Sequence, residues 1–291
     1  MFFRYPGGRN KLNVHVVDKI IHFFIDNGYN YQYREPFFGV GSVGLKVFGA
    51  VPLLKNIWIN DFDVGISSIW SAVINSSDEL VKRVNGFSPS VNNFFEFKED
   101  LLYLDRNRYD TIDTAFKKIV IHQISFSGLG TMAGGPLGGK DQKIYKIDSR
   151  WNPEKIVKKI RELNSLLESR DIYHNKCDSF DFEELLVSGE KYFLYLEPPY
   201  HKNGPHLYQH HFSKRDHYRL CNLLKNISNP WLLLYDDCSF IRKLYSWAEF
   251  IKEDIDYRID HSKTKTELLI TSKKYGDFLR DEGDMGMDIF S

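Results

Sequence analysis

The chain has 291 residues, enough for one large domain or a domain carrying an insertion, and its 39 basic residues balance 39 acidic ones. A formal net charge of +0 excludes an overall basic field, so any nucleic-acid surface has to be a local patch. The three cysteines (Cys177, Cys221, Cys238) lack metal-ligand spacing and no apolar run approaches membrane-spanning length, so the expected chain is cytoplasmic, has reduced thiols and engages no membrane.

In chain order, the first informative stretch is Tyr5-Pro6-Gly7-Gly8-Arg9-Asn10-Lys11. Two glycines after a proline allow a tight turn and close approach to a ligand; the stretch also reads as a turn capping the next helix. That helix is predicted over 14–25, with Val14, Val17, Ile20, Ile21 and Phe24 on one face. Residues 33–44, Tyr33-Arg34-Glu35-Pro36-Phe37-Phe38-Gly39-Val40-Gly41-Ser42-Val43-Gly44, read as a strand end, a glycine loop and a helix start. Gly39 and Gly41 permit positive φ and leave room for a ligand against the main chain. The β-rich run Ile57-Trp58-Ile59-Asn60-Asp61-Phe62-Asp63 ends in acids, and a carboxylate in that place can accept both hydroxyls of a ribose. Asp63 reads equally as the cap of a helix over 64–73.

From Ser76 the pattern becomes helical, with a capped start at Ser76-Ser77-Asp78-Glu79 and amphipathic stretches at 94–103 and 112–125. Residues 126–140 hold so many glycines that a flexible loop contributing no core is expected. Residues 140–170 carry more Lys and Arg than Asp and Glu. They include a helix after Trp151-Asn152-Pro153 with Ile156, Ile160 and Leu163 on one side. A glycine-rich loop beside a basic helix suits a segment that orders on a phosphate backbone, and it suits a plain surface loop as well.

Alternation over 171–178 predicts a strand ending at Asp178, with Asp181 a near competitor for any ligand role; a helix over 182–187 follows. The run Tyr192-Phe193-Leu194-Tyr195-Leu196 then reads as a strand buried on both faces, stopped by Glu197-Pro198-Pro199-Tyr200. One carboxylate, a rigid backbone turn and one ring thus stand at the carboxyl end of a buried strand, where ligands sit in open α/β sheets. Four histidines (His201, His206, His210, His211) follow in a stretch expected to act as a lid, with no metal-ligand pattern. A helix capped by Ser213 is expected to Lys225, a buried strand over 230–237, and a hairpin joining 257–260 to 266–271 around a Lys-rich turn.

Taken together these motifs resemble, in order, those of the Dam-like DNA adenine-N6 methyltransferases. Tyr5–Arg9 is similar to the family's Tyr-Pro-Gly-Gly-Lys box, with Arg for Lys. Glu35–Val43 is similar to its Glu-Pro-Phe-x-Gly-x-Gly-Ser-Val motif, and Ile59-Asn60-Asp61 to its Ile-Asn-Asp. Phe126-Ser127-Gly128-Leu129 is similar to its Phe-Asn-Gly-Leu box with Ser for Asn, and the usual downstream Arg is missing. Glu197–Tyr200 is similar to its Asp-Pro-Pro-Tyr motif, with Glu for Asp.

The resemblance implies an α/β fold: a Rossmann-like S-adenosylmethionine-dependent methyltransferase sheet (1–75 and 165–291) with a mainly helical target-recognition insert (76–164). It implies S-adenosylmethionine as methyl donor, S-adenosylhomocysteine as product, and no metal. The implied cofactor residues are Tyr5, Gly7, Gly8, Arg9, Glu35, Phe37, Phe38, Gly39, Gly41, Ser42, Asp61, Phe62 and Asp178. The implied catalytic residues are Glu197, Pro198, Pro199 and Tyr200, with Tyr200 and Phe38 stacking on a flipped base. Ser127, Lys140, Lys155, Lys158 and Lys159 are expected on double-stranded DNA. A monomer and a restriction-endonuclease or phage setting complete the expectation. Two other readings use the same residues: a homologue disabled by Glu197 that only binds DNA or cofactor, and an enzyme acting on cytosine N4 or on RNA.

Overall fold

The computed structural model describes residues 12–170, 182–189, 191–202, 209–251, 267–273, 275 and 276. Among them a six-stranded sheet and ten α-helices form a mixed α/β fold. The sheet order is β2 (Ile57–Ile59), β1 (Gln32–Glu35), β3 (Tyr192–Leu196), β4 (Trp231–Asp236), β6 (Glu267–Thr271), β5 (Glu249–Ile251). The first four strands run parallel, while β6 is antiparallel to both β4 and β5. Every residue of β1, β3 and β4 is buried, as expected of strands covered on both faces.

The chain leaves β1 for β2 on one side and returns to β3 on the other, so the strand order reverses between β1 and β3. A crevice opens at the carboxyl ends of strands at such a point.

Side-chain alternation divides the strands between two cores. Tyr33, Phe193, Tyr195, Leu232 and Leu234 face one cluster together with α1 (Leu12–Asn27), α2 (Gly44–Ala50) and α3 (Val64–Asn75). That cluster also takes in α4 (Ser77–Asn85), α5 (Val91–Leu102), α6 (Thr111–Ile124) and α7 (Pro153–Glu168). Tyr192, Leu194, Leu196, Leu233 and Tyr235 face the other, which is closed by α8 (Glu183–Val187), α9 (Lys214–Lys225) and α10 (Ser239–Leu244).

Several sequence expectations change. Residues 126–140 do supply core: Ala133 and Leu137 are buried in the first cluster, Ser125 bridges Pro136, and two 3-10 turns (Phe126–Gly128, Gly130–Met132) shape the segment. Glycine there serves left-handed backbone, at φ 71° for Gly128 and 60° for Gly130, so composition reads as flexibility where geometry requires it for order. Helix α4 lacks the side-chain cap expected from Ser76, whereas α5 has a full capping box between Ser90 and Asn93. Strand β6 stands where the last hairpin was expected, but its described partners are β4 and the three-residue β5. The expected strand over 171–178, the first hairpin arm at 257–260 and His206 lie outside the described residues.

Candidate active site

Tyrosine and glutamate repeat at i and i+2 on the two strands that flank the reversal, so each pair shares one face. On β1 the Tyr33 hydroxyl donates to Glu35 Oε2 at 2.6 Å, and Glu35 is only 3% exposed. Its carboxyl also accepts the Gly44 N–H at the start of α2, and a Cβ on Gly44 would stand 2.5 Å from Glu35 Oε2. Burial drives the Glu35 pKa well above the usual carboxylate range, opposed by the Tyr33 hydrogen bond and reinforced by the Glu197 charge.

On β3 the buried Tyr195 hydroxyl donates to Glu197 Oε2 at 3.2 Å, just before the two prolines. Glu197 is half-buried, Pro198 buried and Pro199 half-buried. Tyr200 departs from the expectation of an open stacking ring. It is 8% exposed, its hydroxyl donates to Glu267 Oε1 at 3.1 Å, and its ring lies 6.2 Å from that of Tyr235. The turn is pinned further on, where the His201 and Lys202 amides donate to Asp236 Oδ1 and Oδ2 at 3.1 and 3.2 Å. Beneath it His217 Nδ1 and the Tyr235 hydroxyl are 2.7 Å apart; burial, then the neighbouring His201, lowers the His217 pKa to about 4.

The loop after β1 meets the turn after β2 through Asp61. Its Oδ2 accepts the Gly39 N–H at 2.8 Å and its Oδ1 the Asp63 N–H at 2.9 Å, and the residue is half-buried. Burial, then the nearby Asp63, pushes the Asp61 pKa up to about 7. Asp63 caps α3 by accepting the Ile66 N–H at 3.1 Å and receives the Lys118 ammonium of α6 at 2.6 Å. Burial raises its pKa, but Lys118 outweighs that and holds Asp63 below the ordinary aspartate range. Phe62 is exposed, with the Arg106 guanidinium 4.2 Å from its ring centroid and the His210 ring at 5.3 Å.

Phe38 is not a surface ring: it is 2% exposed, at 4.9 Å from Trp70 and 6.4 Å from Phe48, so it cannot stack on a base. Gly41, at φ 69°, has its missing Cβ aimed at the Phe38 ring 2.7 Å away; packing, rather than clearance for a ligand, explains that glycine. Gly39, at φ 50°, uses both backbone groups, its carbonyl accepting the Trp70 indole N–H at 2.8 Å. Phe37 packs against Phe182 and Phe212 at 5.5 and 5.6 Å, and Ser42 is half-buried. Tyr5, Gly7, Gly8, Arg9 and Asp178 lie outside the described residues.

At the tip of the segment after α6, Phe126 and Ser127 are exposed, with Ser127 in left-handed backbone at φ 58°. His122 Nδ1 to the Gly128 carbonyl (2.9 Å) and the Gly130 N–H to Ser125 Oγ (2.9 Å) hold this tip. Thr131 donates to Gln209 at 3.0 Å, which ties the tip to the chain beyond the Glu197–Tyr200 turn. Lys140 is exposed, its ammonium 5.4 Å from the Phe95 ring. Lys155 and Lys158 are exposed on α7 and Lys159 pairs with Glu162 at 3.0 Å. Helix α7 packs mainly on α3 and α4, whereas the tip packs on α5 and α6, so the basic helix and the glycine-rich tip sit against different helices.

Sequence reasoning missed Tyr33, Tyr195, Lys118 and Asp236. The period-2 spacing of each tyrosine before its glutamate was a usable signal; the reach of Lys118 across to Asp63, 55 residues away, was not. Among the described residues no three His, Cys, Asp or Glu side chains stand together as a metal would require, and no helix is long and apolar enough to cross a membrane. A family model described as D12 class N6 adenine-specific DNA methyltransferase matches residues 5–259. No curated protein matches the chain.

Proposed function

The chain belongs to the D12 class N6 adenine-specific DNA methyltransferase family, and from that premise we propose how its residues divide the work of methylating adenine N6. The observation that carries the proposal is a half-buried Glu197 followed by two prolines at the carboxyl end of β3, where the strand order reverses. The parallel strands β2, β1, β3 and β4 support a Rossmann-like reading, and α4–α7 with the segment between them form the target-recognition insert, about 76–164.

The N6 lone pair of adenine is delocalised into the ring and is a poor nucleophile. The Glu197 carboxylate and the Pro198 carbonyl are two acceptors that take its two N–H groups and localise that pair, a case of preorganised electrostatic stabilisation. Because Glu197 lies at the end of a buried strand, the target base reaches it by rotating out of the duplex. Tyr200, tied to Glu267, fixes the turn that presents these acceptors.

S-adenosylmethionine, when bound, supplies an electrophilic methyl group on a sulfonium. The chain fits it in two respects: a carboxylate, Asp61, whose oxygens each have a further lone pair able to accept a ribose hydroxyl, and an exposed ring beside it, Phe62, able to cover a purine. Glu35, Phe37, Gly39, Gly41 and Ser42 shape the loop that abuts Asp61, with Tyr5–Arg9 and Asp178 assigned to the same pocket from the sequence motifs alone. Isothermal calorimetry with S-adenosylhomocysteine tests this. Because ionised Asp61 is the acceptor and its pKa is raised to about 7, affinity should fall several-fold from pH 8 to pH 6. Asp61→Ala should weaken binding by about 1–3 kcal/mol and remove that pH dependence. An unchanged affinity for Asp61→Ala would place the ribose elsewhere.

Double-stranded DNA is assigned to the insert, through Ser127, Lys140, Lys155, Lys158 and Lys159. With no net charge to attract DNA from afar, affinity should fall steeply with salt. Lys155, Lys158 and Lys159 share one helical face; replacing all three by Ala should reduce the log–log salt slope by up to about 0.9 per lysine. A slope unchanged in a fluorescence-anisotropy titration would move the surface to Lys202, Lys214 and Arg215. Such proteins work in restriction–modification settings, and sequencing of modified bases in DNA from cells expressing the chain would read out both activity and target.

A further inference from the structure

The Tyr-x-Glu repeat on β1 and β3 places four polar groups on one sheet face, directly under the site. The parallel register pairs Tyr33 with Phe193 and Arg34 with Leu194, which sets Glu35 alongside Tyr195 and leaves Glu197 two residues beyond on the same face. Tyr195 is 0% exposed, yet its phenol oxygen meets no apolar wall: it donates to Glu197 Oε2 at 3.2 Å. Tyr33 does the same for Glu35 at 2.6 Å, and Glu35 is anchored again at the amino end of α2. A rigid two-strand frame therefore ends in two tyrosine hydroxyls, each directed at a carboxyl group.

Glutamate has one more rotatable bond than aspartate, so a carboxylate that must meet an amino group within tenths of an ångström needs an external fix. We propose that Tyr195 is a positioning residue for methyl transfer, its hydroxyl holding one oxygen of Glu197 so that the other faces the target amino group. The inference rests on the reading of Glu197 as the N–H acceptor. The phenol is suited to the task, because burial, then the Glu197 and Glu35 charges, hold its pKa well above the usual tyrosine range and keep it a donor at any working pH. Its ring is locked in the core, so the donor position is set by the fold. A tyrosine hydroxyl beneath the longer acid is what allows glutamate to serve at this place.

The test is single-turnover methyl transfer to duplex DNA across pH for Tyr195→Phe, which removes one oxygen and keeps the ring. The expected result is a rate lower by roughly 10- to 100-fold, the range of one hydrogen bond to a charged group. Cofactor and DNA affinities should stay within about twofold. With cofactor saturating at every pH, so that Asp61 does not set the limb, the acidic limb of the rate profile should move to higher pH, since the lost donor favoured the ionised Glu197 carboxylate. Replacing Tyr195 by 3-fluorotyrosine, a stronger donor of nearly the same shape, should move that limb to lower pH, and it serves where Tyr195→Phe fails to fold. An unshifted limb in either variant overturns the inference, whether the rate is unchanged or falls only together with ligand affinity and thermal stability. Glu197→Gln, run alongside, separates the two ideas. If it retains full activity, the acceptor reading fails first; if it is inactive while Tyr195→Phe behaves as the unsubstituted chain, only the positioning role fails.

Discussion

Glu197→Gln is expected to lower single-turnover methyl transfer by about 10³-fold while leaving calorimetric binding of S-adenosylhomocysteine unchanged. The amide keeps a partial acceptor and nearly the same volume, so packing around β3 is preserved; what disappears is the negative charge that offsets positive charge developing on adenine N6. A group aimed at developing charge acts on the transition state, so the loss should appear in the rate of transfer with little change in DNA affinity. Glu197→Asp should also be slower, by roughly 10²-fold, because the shorter side chain draws the carboxylate back by about an ångström. It also loses reach to the Tyr195 hydroxyl, now 3.2 Å from Glu197 Oε2. A faster Glu197→Asp protein would show instead that glutamate handicaps this chain. Full ligand binding with no transfer in any of the three proteins would leave a binder rather than an enzyme.

The second large effect concerns stability. Lys118 is 4% and Asp63 15% exposed in their side chains, and their charged atoms are 2.6 Å apart. Lys118→Met would leave the Asp63 charge inside without its cation, at a cost of about 3–5 kcal/mol. For a chain of this size that corresponds to a melting temperature lower by roughly 10 °C. Adding Asp63→Asn should recover much of the loss, since Asn still caps α3 and no charge remains to compensate. The pH dependence has a definite sign: the pKa of Asp63 is lowered by folding. Its contribution is thus fully present above the ordinary aspartate range and lost as pH falls through the folded-state value. Differential scanning calorimetry of the three proteins at pH 7 and pH 4 checks both points; equal melting temperatures at pH 7 would refute the role of the pair. Gly65 belongs to the same arrangement, because a Cβ there would lie 2.6 Å from Lys118 Cδ and displace its stem.

The parts of the fold legible in the sequence were those that local pattern decides. The apolar runs of β3 and β4 announce strands covered on both faces, and the helices at 64–75, 111–124 and 153–168 follow their periodicity and cap residues. Long-range contacts decide the rest. Phe38 sits in a motif of ligand-binding type, yet Phe48 on the next helix and Trp70, far along the chain, bury it. Tyr200 looks like a free ring until Glu267 closes over its hydroxyl. The glycines at 128 and 130 suggest looseness, but His122 and Ser125 order the backbone they permit. The Glu35 and Glu197 motifs fall at the strands where the order reverses, and the tyrosines beneath the two glutamates were visible only as a spacing of two.

The rims of the sheet bear on how such a chain stays out of trouble while it assembles. Parallel strands whose partners lie more than a hundred residues apart, as Tyr33 and Phe193 do, pair late, and a half-built sheet exposes backbone that other molecules can extend. Among the described residues the outermost strand on one side, β2, spans three residues, a ladder of only about 10 Å. A growing fibril needs a longer template than that, so the brevity of β2 guards its side of the described sheet against templated self-association.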